Sequence, residues 1–456
     1  MKILLSNPPS ETEKATPLPL GLMYVAGYLG SGHDVKIVDM RADWVSLEEL
    51  KSIVLEFKPD FFGIRCLTYL SPVVYSICDL VKSTLPSCKV VVGGPHAGAN
   101  PNEIIEKPFI DYVVIGEGEV TFSELVSGKN PAEINGLVYK ENNEVKATMP
   151  RELIKDLNTI PLPAYHLINV ENYVSNPYVH AFFMAGKRVA QIFSSRGCPF
   201  HCIYCHKIFG KSIRYRNPEN VVKEIKFIHD KYGIDEIQIE DDSFNIDMNR
   251  AKKIMDLIAE SGMQIKISFP NGIRADFLDE ELADKMKKAG VYSVCFGVES
   301  GDREIQKFIN KRLDLEKVKK AIEITTKRKM LTVGYFMMGF LGETKEQMLR
   351  TIEFAKKSKL HMATFFKVTP YPNTELYRLA EERGFLLSNK PEAYTYTFSK
   401  GEAPNLSQIS TEALMKIIRK AYFQFFSPLR IIRLGWRALN KKMLFVHFFR
   451  LVFWRN

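Results

Sequence analysis

Short apolar segments alternate with amphipathic segments along the first 130 residues. The apolar segments have the length of single strands and lie at Lys2–Leu5, Val35–Val38, Phe61–Ile64, Val90–Val92 and Tyr112–Ile115. Helical patterns lie between them, for example over Leu20–Leu29 and Val73–Leu85. Alternation of strand and helix predicts a parallel sheet whose strands are joined by right-handed crossovers. We therefore expect an α/β domain with five parallel strands.

A second series of strands and helices begins near Val189. Its predicted strands are Val189–Ser194, Glu236–Glu240, Lys266–Phe269, Tyr292–Val298, Thr332–Met338 and Ala363–Thr369. Its predicted helices include Pro218–Lys231, Arg250–Glu260, Leu315–Lys327 and Lys345–Lys359. Six strand–helix units are fewer than the eight of a complete TIM barrel, so the pattern predicts a partial (β/α)6 barrel.

The predicted fold class is α/β, with four segments along the chain. Residues 1–130 form a flavodoxin-like (Rossmann-type) five-stranded parallel sheet. Residues 131–185 form a linker with a few short strands, and residues 186–385 form the partial TIM-type barrel. Residues 386–456 begin with a polar connector and continue as a helical C-terminal segment. Ligands of open parallel sheets and of barrels bind at the carboxyl ends of the strands, so we expect functional residues there.

Composition narrows the class of protein. The chain has 456 residues, of which 46% are hydrophobic and 25% charged, as in ordinary globular proteins. No apolar run approaches the roughly 18 residues of a transmembrane helix, and the apolar start ends at Ser6, too early for an export signal. Seven cysteines are too few for a secreted disulfide framework. These features predict a cytoplasmic protein.

The net charge of +10 is concentrated at the C-terminal end. Residues 421–456 contain seven cations and no acidic residue, so the rest of the chain is nearly neutral and a nucleic-acid-binding core is not expected. Residues 427–456, the basic tail, mix these cations with Trp436, Trp454 and many other large apolar residues. Such a segment is typical of peripheral contact with a membrane surface, here the inner membrane face. A helix over the barrel mouth and a dimer contact are the alternatives.

Three cysteines lie close together just after the first barrel strand. Cys198, Cys202 and Cys205 have the spacing C-x3-C-x2-C, and Gly197 before them allows a tight turn. Three thiolates on one loop can hold three irons of a cubane cluster and leave the fourth iron open. Structural zinc is an alternative, with His201 or His206 as fourth ligand. The remaining cysteines, Cys66, Cys78, Cys88 and Cys295, are expected in the core.

This cysteine loop (Gly197–Cys205) resembles the signature of the radical S-adenosylmethionine (SAM) superfamily. Tyr204 supplies the aromatic residue that precedes the third cysteine. Other matching pieces follow the later barrel strands and begin at Glu240, Asn271, Gly297, Gly339 and Pro370. The resemblance implies that Cys198, Cys202 and Cys205 are ligands of a 4Fe-4S cluster whose open iron binds SAM.

The resemblance also implies SAM-binding roles for several residues at the strand ends. The residues concerned are Tyr204, Asp241, Asp242, Arg274, Glu299 and Ser300. Asp241 or Asp242 would accept from the ammonium group or the ribose, and Arg274 would pair with the methionyl carboxylate. Two capping alternatives stay open, Asp241 and the pair Glu343-Thr344. Asn373 stands where many relatives have Gly, which affects only the turn because Asn tolerates positive φ.

The N-terminal domain resembles the cobalamin-binding domain of class B radical SAM enzymes. The matching pieces are Pro17–Gly21, Val91–Ala97 and Gly116–Glu119. The cobalamin-binding residues implied are Thr68, Gly93, Gly94, Pro95, His96, Gly116 and Glu117. The motif D-x-H-x-x-G is absent, so no histidine ligand to cobalt is expected. A domain that has lost its ligand and only supports the barrel is the alternative.

The resemblance implies a cobalamin-dependent radical SAM enzyme. The leading activity is a C-methyltransferase that acts on an unactivated carbon of a lipid-like or natural-product substrate. Its partners would be that small molecule and an external reductant of the ferredoxin or flavodoxin type, and no nucleic acid. A cyclase or rearrangement enzyme without methyl transfer is one alternative. A non-catalytic corrinoid-binding sensor or carrier is another, and it would not need the cysteine loop.

Overall fold

The computed structural model describes residues 1–9, 17–142, 144–174, 184–205, 208–385, 404–427 and 430. These residues fall into two compact units. One is built on residues 1–174 and the other on residues 184–427, with a few residues of the second range assigned to the first unit. In the described part of the chain no helix is both long and apolar enough to cross a bilayer.

The first unit is one mixed sheet with helices packed against it. Its strands are β1 (Lys2–Asn7), β2 (Asp34–Asp39), β3 (Phe61–Arg65), β4 (Lys89–Gly93), β5 (Tyr112–Val114), β6 (Leu137–Glu141) and β7 (Glu144–Ala147). Its helices are α1 (Leu20–Leu29), α2 (Leu47–Phe57), α3 (Ser71–Thr84), α4 (Pro95–Ala99), α5 (Pro101–Ile105), α6 (Gly118–Val126) and α7 (Glu171–Val174). The strand order is β2-β1-β3-β4-β5-β6-β7.

The five predicted parallel strands are present, but the sheet has seven strands. Strands β6 and β7 pair antiparallel beyond β5, within the segment predicted as a linker. They extend the first unit's sheet beyond the five predicted parallel strands. The boundary at residue 130 stays a prediction. Leu137, Val138 and Tyr139 are buried against the sheet, whereas β7 is largely exposed. An exposed strand carries little apolar pattern, which is why the sequence did not reveal the hairpin.

The second unit contains the predicted partial barrel. Six parallel strands form one sheet in the order β15-β14-β13-β12-β11-β8. They are β8 (Val189–Ile192), β11 (Glu236–Ile239), β12 (Lys266–Phe269), β13 (Val291–Glu299), β14 (Leu331–Met338) and β15 (Met362–Lys367). A short antiparallel pair, β9 (Ser195–Arg196) and β10 (Arg214–Tyr215), brackets the cysteine loop. The prediction of six barrel strands is confirmed.

Helices alternate with the barrel strands and mostly begin at side-chain caps. They are α8 (Pro218–Tyr232), α9 (Met248–Glu260), α10 (Glu280–Lys288), α11 (Arg303–Phe308), α12 (Leu315–Lys327), α13 (Lys345–Lys357), α14 (Glu375–Glu382) and α15 (Thr411–Phe425). The caps are Asp247, Asp279, Asp302, Asp314, Thr344, Thr374 and Ser410. These caps fix where each strand-end loop stops, because each accepts from the first free N–H groups of its helix.

Helix α15 confirms the helical character predicted for part of the C-terminal segment, and it closes the barrel's open edge. Strand β15 pairs only with β14, so one side of its backbone lacks a strand partner. The Tyr422 hydroxyl accepts from the Phe365 N–H at 3.0 Å and donates to the Phe365 carbonyl at 3.2 Å. A covered edge strand cannot pair with another chain. Most of the basic tail and the connector at 386–403 lie outside the described residues.

Replacing Tyr422 with Phe should destabilise the barrel unit by about 1–3 kcal/mol, because both backbone groups of Phe365 would be buried without partners. Urea unfolding followed by circular dichroism measures the change. Phe423→Leu is the matched control, since Phe423 lies on the same helix and is 61% exposed. Equal midpoints for Tyr422→Phe and wild type would contradict this function of the hydroxyl.

Candidate active site

The cysteine loop leaves the barrel at the carboxyl end of β8. Gly197 has φ of +88°, a conformation that glycine adopts without strain, and it turns the chain out of β9. None of the three cysteines forms a disulfide bond; Cys198 and Cys202 are half-buried, and Cys205 is exposed. Desolvation and the negative charge of Cys202 raise the pKa of Cys205 to about 12, although the residue as a whole is exposed.

Asp241 fixes the strand that leads into the cysteine loop. Its carboxylate accepts from the Ser194 N–H at 2.6 Å, from the Ser194 hydroxyl at 2.5 Å and from the Ser195 hydroxyl at 2.6 Å. The residue is 1% exposed. Arg250, also buried, donates to the Ser194 carbonyl at 2.5 Å. Asp241 thus acts within the protein on the chain before Gly197, and it does not cap a helix.

Arg274 supports the cysteine loop through an aromatic contact. Its guanidinium lies 3.8 Å from the ring centroid of Phe200, which is in the loop. Two of its nitrogens donate to the Asp276 carboxylate, at 2.8 and 2.6 Å. The Arg274 guanidinium, which is expected to bind the methionyl carboxylate, is therefore paired with Asp276 in this structure.

Tyr204 and Glu299 both accept hydrogen bonds from Lys311, a residue that the sequence pattern did not indicate. The Lys311 ammonium donates to Glu299 Oε1 at 2.7 Å and to the Tyr204 hydroxyl at 3.4 Å. The Tyr204 ring packs on Phe340, with centroids 6.0 Å apart. Lys311 lies in a polar turn between two helices, and no spacing in the sequence links that turn to the cysteines.

The remaining predicted SAM-binding residues differ in exposure. Asp242 is exposed and accepts from the Gly197 N–H at 3.2 Å. Ser300 is fully buried, with its hydroxyl 3.0 Å from that of Thr351. Asp242, Tyr204 and Glu299 all act on or beside the cysteine loop. A SAM-binding role for the six residues stays a prediction.

The zinc alternative has few supporting contacts. Within the described ranges, no three His, Cys, Asp or Glu side chains are grouped so as to hold a single metal ion. His201 Nδ1 contacts the Lys211 ammonium, and His206 lies outside the described residues. Cys66, Cys78, Cys88 and Cys295 are buried, as predicted.

In the first unit, backbone hydrogen bonds link the loops that follow β3 and β4. The Cys66 N–H donates to the Gly93 carbonyl at 2.8 Å, and the His96 N–H donates to the Cys66 carbonyl at 3.0 Å. Gly94 has φ of +98°, and a Cβ there would lie 3.0 Å from the Cys66 oxygen. Only glycine fits this close approach. Pro95 then begins α4.

His96 is turned into the first unit. It is 1% exposed, and its ring nitrogens lie 3.4 Å from the Tyr75 hydroxyl and 3.3 Å from the Asn100 amide. Burial lowers its pKa, against an opposing effect of Glu103. Both of its ring nitrogens already have partners within the unit.

Among the other predicted cobalamin-binding residues, Gly93 and Gly116 leave backbone uncovered at the ends of strands. Gly116 is exposed with φ of +81°, and a Cβ there would meet no atom within 4 Å. Gly93 is nearly as open, and Thr68 is half-buried at the start of a short 3-10 helix. Glu117 is buried and accepts from the Ile154 N–H at 2.9 Å. The cobalamin contacts of all seven residues stay predictions.

Comparison with known proteins identifies two domains. The family model of the Radical SAM superfamily matches residues 192–355, and that of the B12 binding domain matches residues 13–126. An uncharacterized methyltransferase of Pyrococcus horikoshii is 35% identical over 93% of this chain and 92% of its own. The anaerobic magnesium-protoporphyrin IX monomethyl ester cyclase of Cereibacter sphaeroides is 26% identical over 92% of this chain and 67% of its own.

A solved structure has the same fold. The cobalamin-dependent S-adenosylmethionine radical enzyme OxsB, with aqua-cobalamin and S-adenosylmethionine bound, superposes with a TM-score of 0.77. The match covers 98% of this chain and 72% of that chain at 17% identity. The chain belongs to the cobalamin-binding radical SAM enzymes. Its cofactors are a 4Fe-4S cluster, SAM and cobalamin.

The residues present fit these cofactors. Three cysteine thiols on one loop, none of them in a disulfide, are the soft donors that an iron–sulfur cluster requires. Cys198, Cys202 and Cys205 would hold it. In the first unit, the bare backbone at Gly93 and Gly116 leaves room for a large ligand at the sheet edge.

Asp241→Asn should loosen the cysteine loop, because an amide has one acceptor oxygen where the carboxylate binds three donors. Charged hydrogen bonds are worth about 2 kcal/mol each, or roughly 30-fold in the population of the ordered loop. Iron and sulfide per chain after anaerobic reconstitution should therefore fall. Asp242→Asn, the exposed neighbour, should load normally. Full loading of Asp241→Asn would contradict a supporting role for Asp241.

Proposed function

We propose that the protein is a C-methyltransferase that transfers a methyl group to an unactivated carbon of a small molecule. The observation that carries this proposal is the set of three cysteines on one loop, at the carboxyl end of a barrel strand, in a chain with a cobalamin-binding domain. Methyl transfer is favoured over ring closure because the methyltransferase relative is more similar, 35% against 26% identical.

The cofactors, when bound, supply a carbon-centred radical and a transferable methyl group. The protein's own residues would hold these cofactors and orient them. Cys198, Cys202 and Cys205 anchor the cluster, and Asp241 keeps the preceding strand in place. The Tyr204 ring, which belongs to the cysteine loop, packs against the ring of Phe340. Packing of this kind excludes water, which protects reactive species from side reactions.

An external one-electron donor of the ferredoxin or flavodoxin type would supply the reducing electron. For the substrate, we propose a lipid-like or natural-product molecule. The lipid-like choice is supported by the basic tail, whose cations and large apolar residues suit a membrane surface. The tail would bring the enzyme to the inner membrane face, where a hydrophobic substrate is concentrated.

The proposed methyl transfer predicts a product heavier than its substrate by one CH2. Lipid and small-molecule extracts of a deletion strain are incubated anaerobically with SAM, a one-electron reductant and enzyme reconstituted with iron, sulfide and hydroxocobalamin, and the products are compared by mass spectrometry. We expect a mass gain of one CH2, together with 5′-deoxyadenosine, and label from deuterated methyl-SAM in the product. A product of unchanged carbon count would favour ring closure instead. Failure to form 5′-deoxyadenosine at all would favour the non-catalytic carrier.

Cys202→Ala is the matched variant for that assay. It removes one cluster ligand from the second unit, so cluster absorbance and 5′-deoxyadenosine should both be lost. Cobalamin binding should persist, because the first unit is unchanged. Cys295→Ala is the control, since Cys295 is a buried core thiol on β13. Turnover by Cys202→Ala equal to wild type would contradict the proposal.

The basic tail gives a separate prediction about membrane contact. Arg430 donates to the carbonyls of Lys356 and Ser358, so removal of residues 431–456 leaves this anchor on the barrel intact. Each surface cation contributes about 1 kcal/mol of attraction to anionic lipid. The truncated protein should therefore bind phosphatidylserine vesicles at least about tenfold more weakly in sedimentation assays. Unchanged vesicle binding would reject a membrane role for the tail.

A further inference from the structure

The turn between α11 and α12 is fixed against the cysteine loop. The Asn310 side chain donates to the His201 carbonyl at 2.9 Å, and the Ile203 N–H donates to the Ile309 carbonyl at 3.1 Å. Asn310 and Arg312 have φ of +55° and +50°. Left-handed conformations in residues other than glycine persist where the surroundings fix them, and they are often found at functional sites. Lys311 lies between these two residues.

The Lys311 ammonium is held in place and partly shielded from water. Its side chain is 13% exposed, and that of its partner Glu299 is 11% exposed. Glu299 also has a positive φ, +65°, at an irregularity in the pairing of β13 and β14. The Lys311 ammonium also donates to the hydroxyl of Tyr204, the residue before Cys205. Charge–charge interactions are stronger at such a site than in bulk water.

The charge around the cysteine loop is unbalanced when a cluster is present. Three cysteine thiolates would add negative charge beside Asp242, which is exposed, and Glu299. Arg274 and Lys211 are further cations at this loop. The Arg274 guanidinium is paired with Asp276, and the Lys211 ammonium contacts the His201 ring. The turn that carries Lys311 is bonded to the cysteine loop at His201 and Ile203, so the Lys311 charge is held beside the loop that carries these sulfurs. Lys311 therefore already favours negative charge on these sulfurs.

We propose that Lys311 is a positioning residue whose fixed positive charge makes the 4Fe-4S cluster of Cys198, Cys202 and Cys205 easier to reduce. Reduction adds one electron from the external donor to a cluster that is already negatively charged. A nearby cation stabilises the reduced state more than the oxidised state, so it raises the reduction potential. The inference rests on the cluster and is independent of which group the enzyme transfers to its substrate.

The test is a redox titration of the full-length protein, reconstituted anaerobically with iron and sulfide and followed by electron paramagnetic resonance. SAM is omitted, so that SAM binding does not contribute. Lys311→Met should shift the midpoint to a more negative potential, and Lys311→Arg should restore it towards wild type. Lys285→Met is the matched control, because Lys285 forms an ion pair of the same 2.7 Å length with Asp256, away from the cysteine loop.

A wild-type midpoint in Lys311→Met would overturn the proposal, as would equal shifts in Lys311→Met and Lys311→Arg. If Lys311→Met does not bind iron, Glu299→Gln decides the question. That variant keeps the cation and removes its neutralising partner, so its midpoint should become more positive. An unchanged or more negative midpoint in Glu299→Gln would reject the charge effect. Neither result depends on methyl transfer, so this inference and the proposed function fail separately.

Discussion

Three sulfur donors on one nine-residue loop must stay together although, as thiolates, each repels the other two. All three donors lie on this one loop, so their geometry depends on what packs around it. The contacts that do this in the structure include Asp241 on the preceding strand, Arg274 on Phe200, Asn310 on the His201 carbonyl, and Tyr204 on Phe340. The partial barrel is the rigid body that brings these contacts together.

This constraint explains why conspicuous polar residues at the strand ends are used inside the protein. Asp241, Arg274 and Ser300 each have partners within the barrel unit. A carboxylate or guanidinium with buried protein partners contributes by fixing backbone, and it reaches a ligand only if those partners are exchanged. The same holds for His96 and Glu117 in the first unit, whose side chains bond to neighbouring elements.

Local patterns predicted the parts of the fold that depend on local forces. The apolar periods of Leu20–Leu29 and Leu315–Lys327 match the observed helices end for end, and six barrel strands lie where alternation placed them. Short strands were expected within residues 131–185, but their place in the sheet was not, because the outer strand β7 is exposed and has little apolar signal. The cysteine spacing indicated a candidate cluster loop, but Lys311 and the partners of Asp241 depend on long-range packing, which spacing does not encode.

The central claim is that the cysteine loop holds a cluster with one iron left open for SAM. Mössbauer spectroscopy of protein reconstituted with iron-57, before and after addition of SAM, tests it most directly. The account predicts one 4Fe-4S cluster per chain and a change at a single iron site when SAM is added. Zinc in place of iron, or four iron sites that do not respond to SAM, would contradict it.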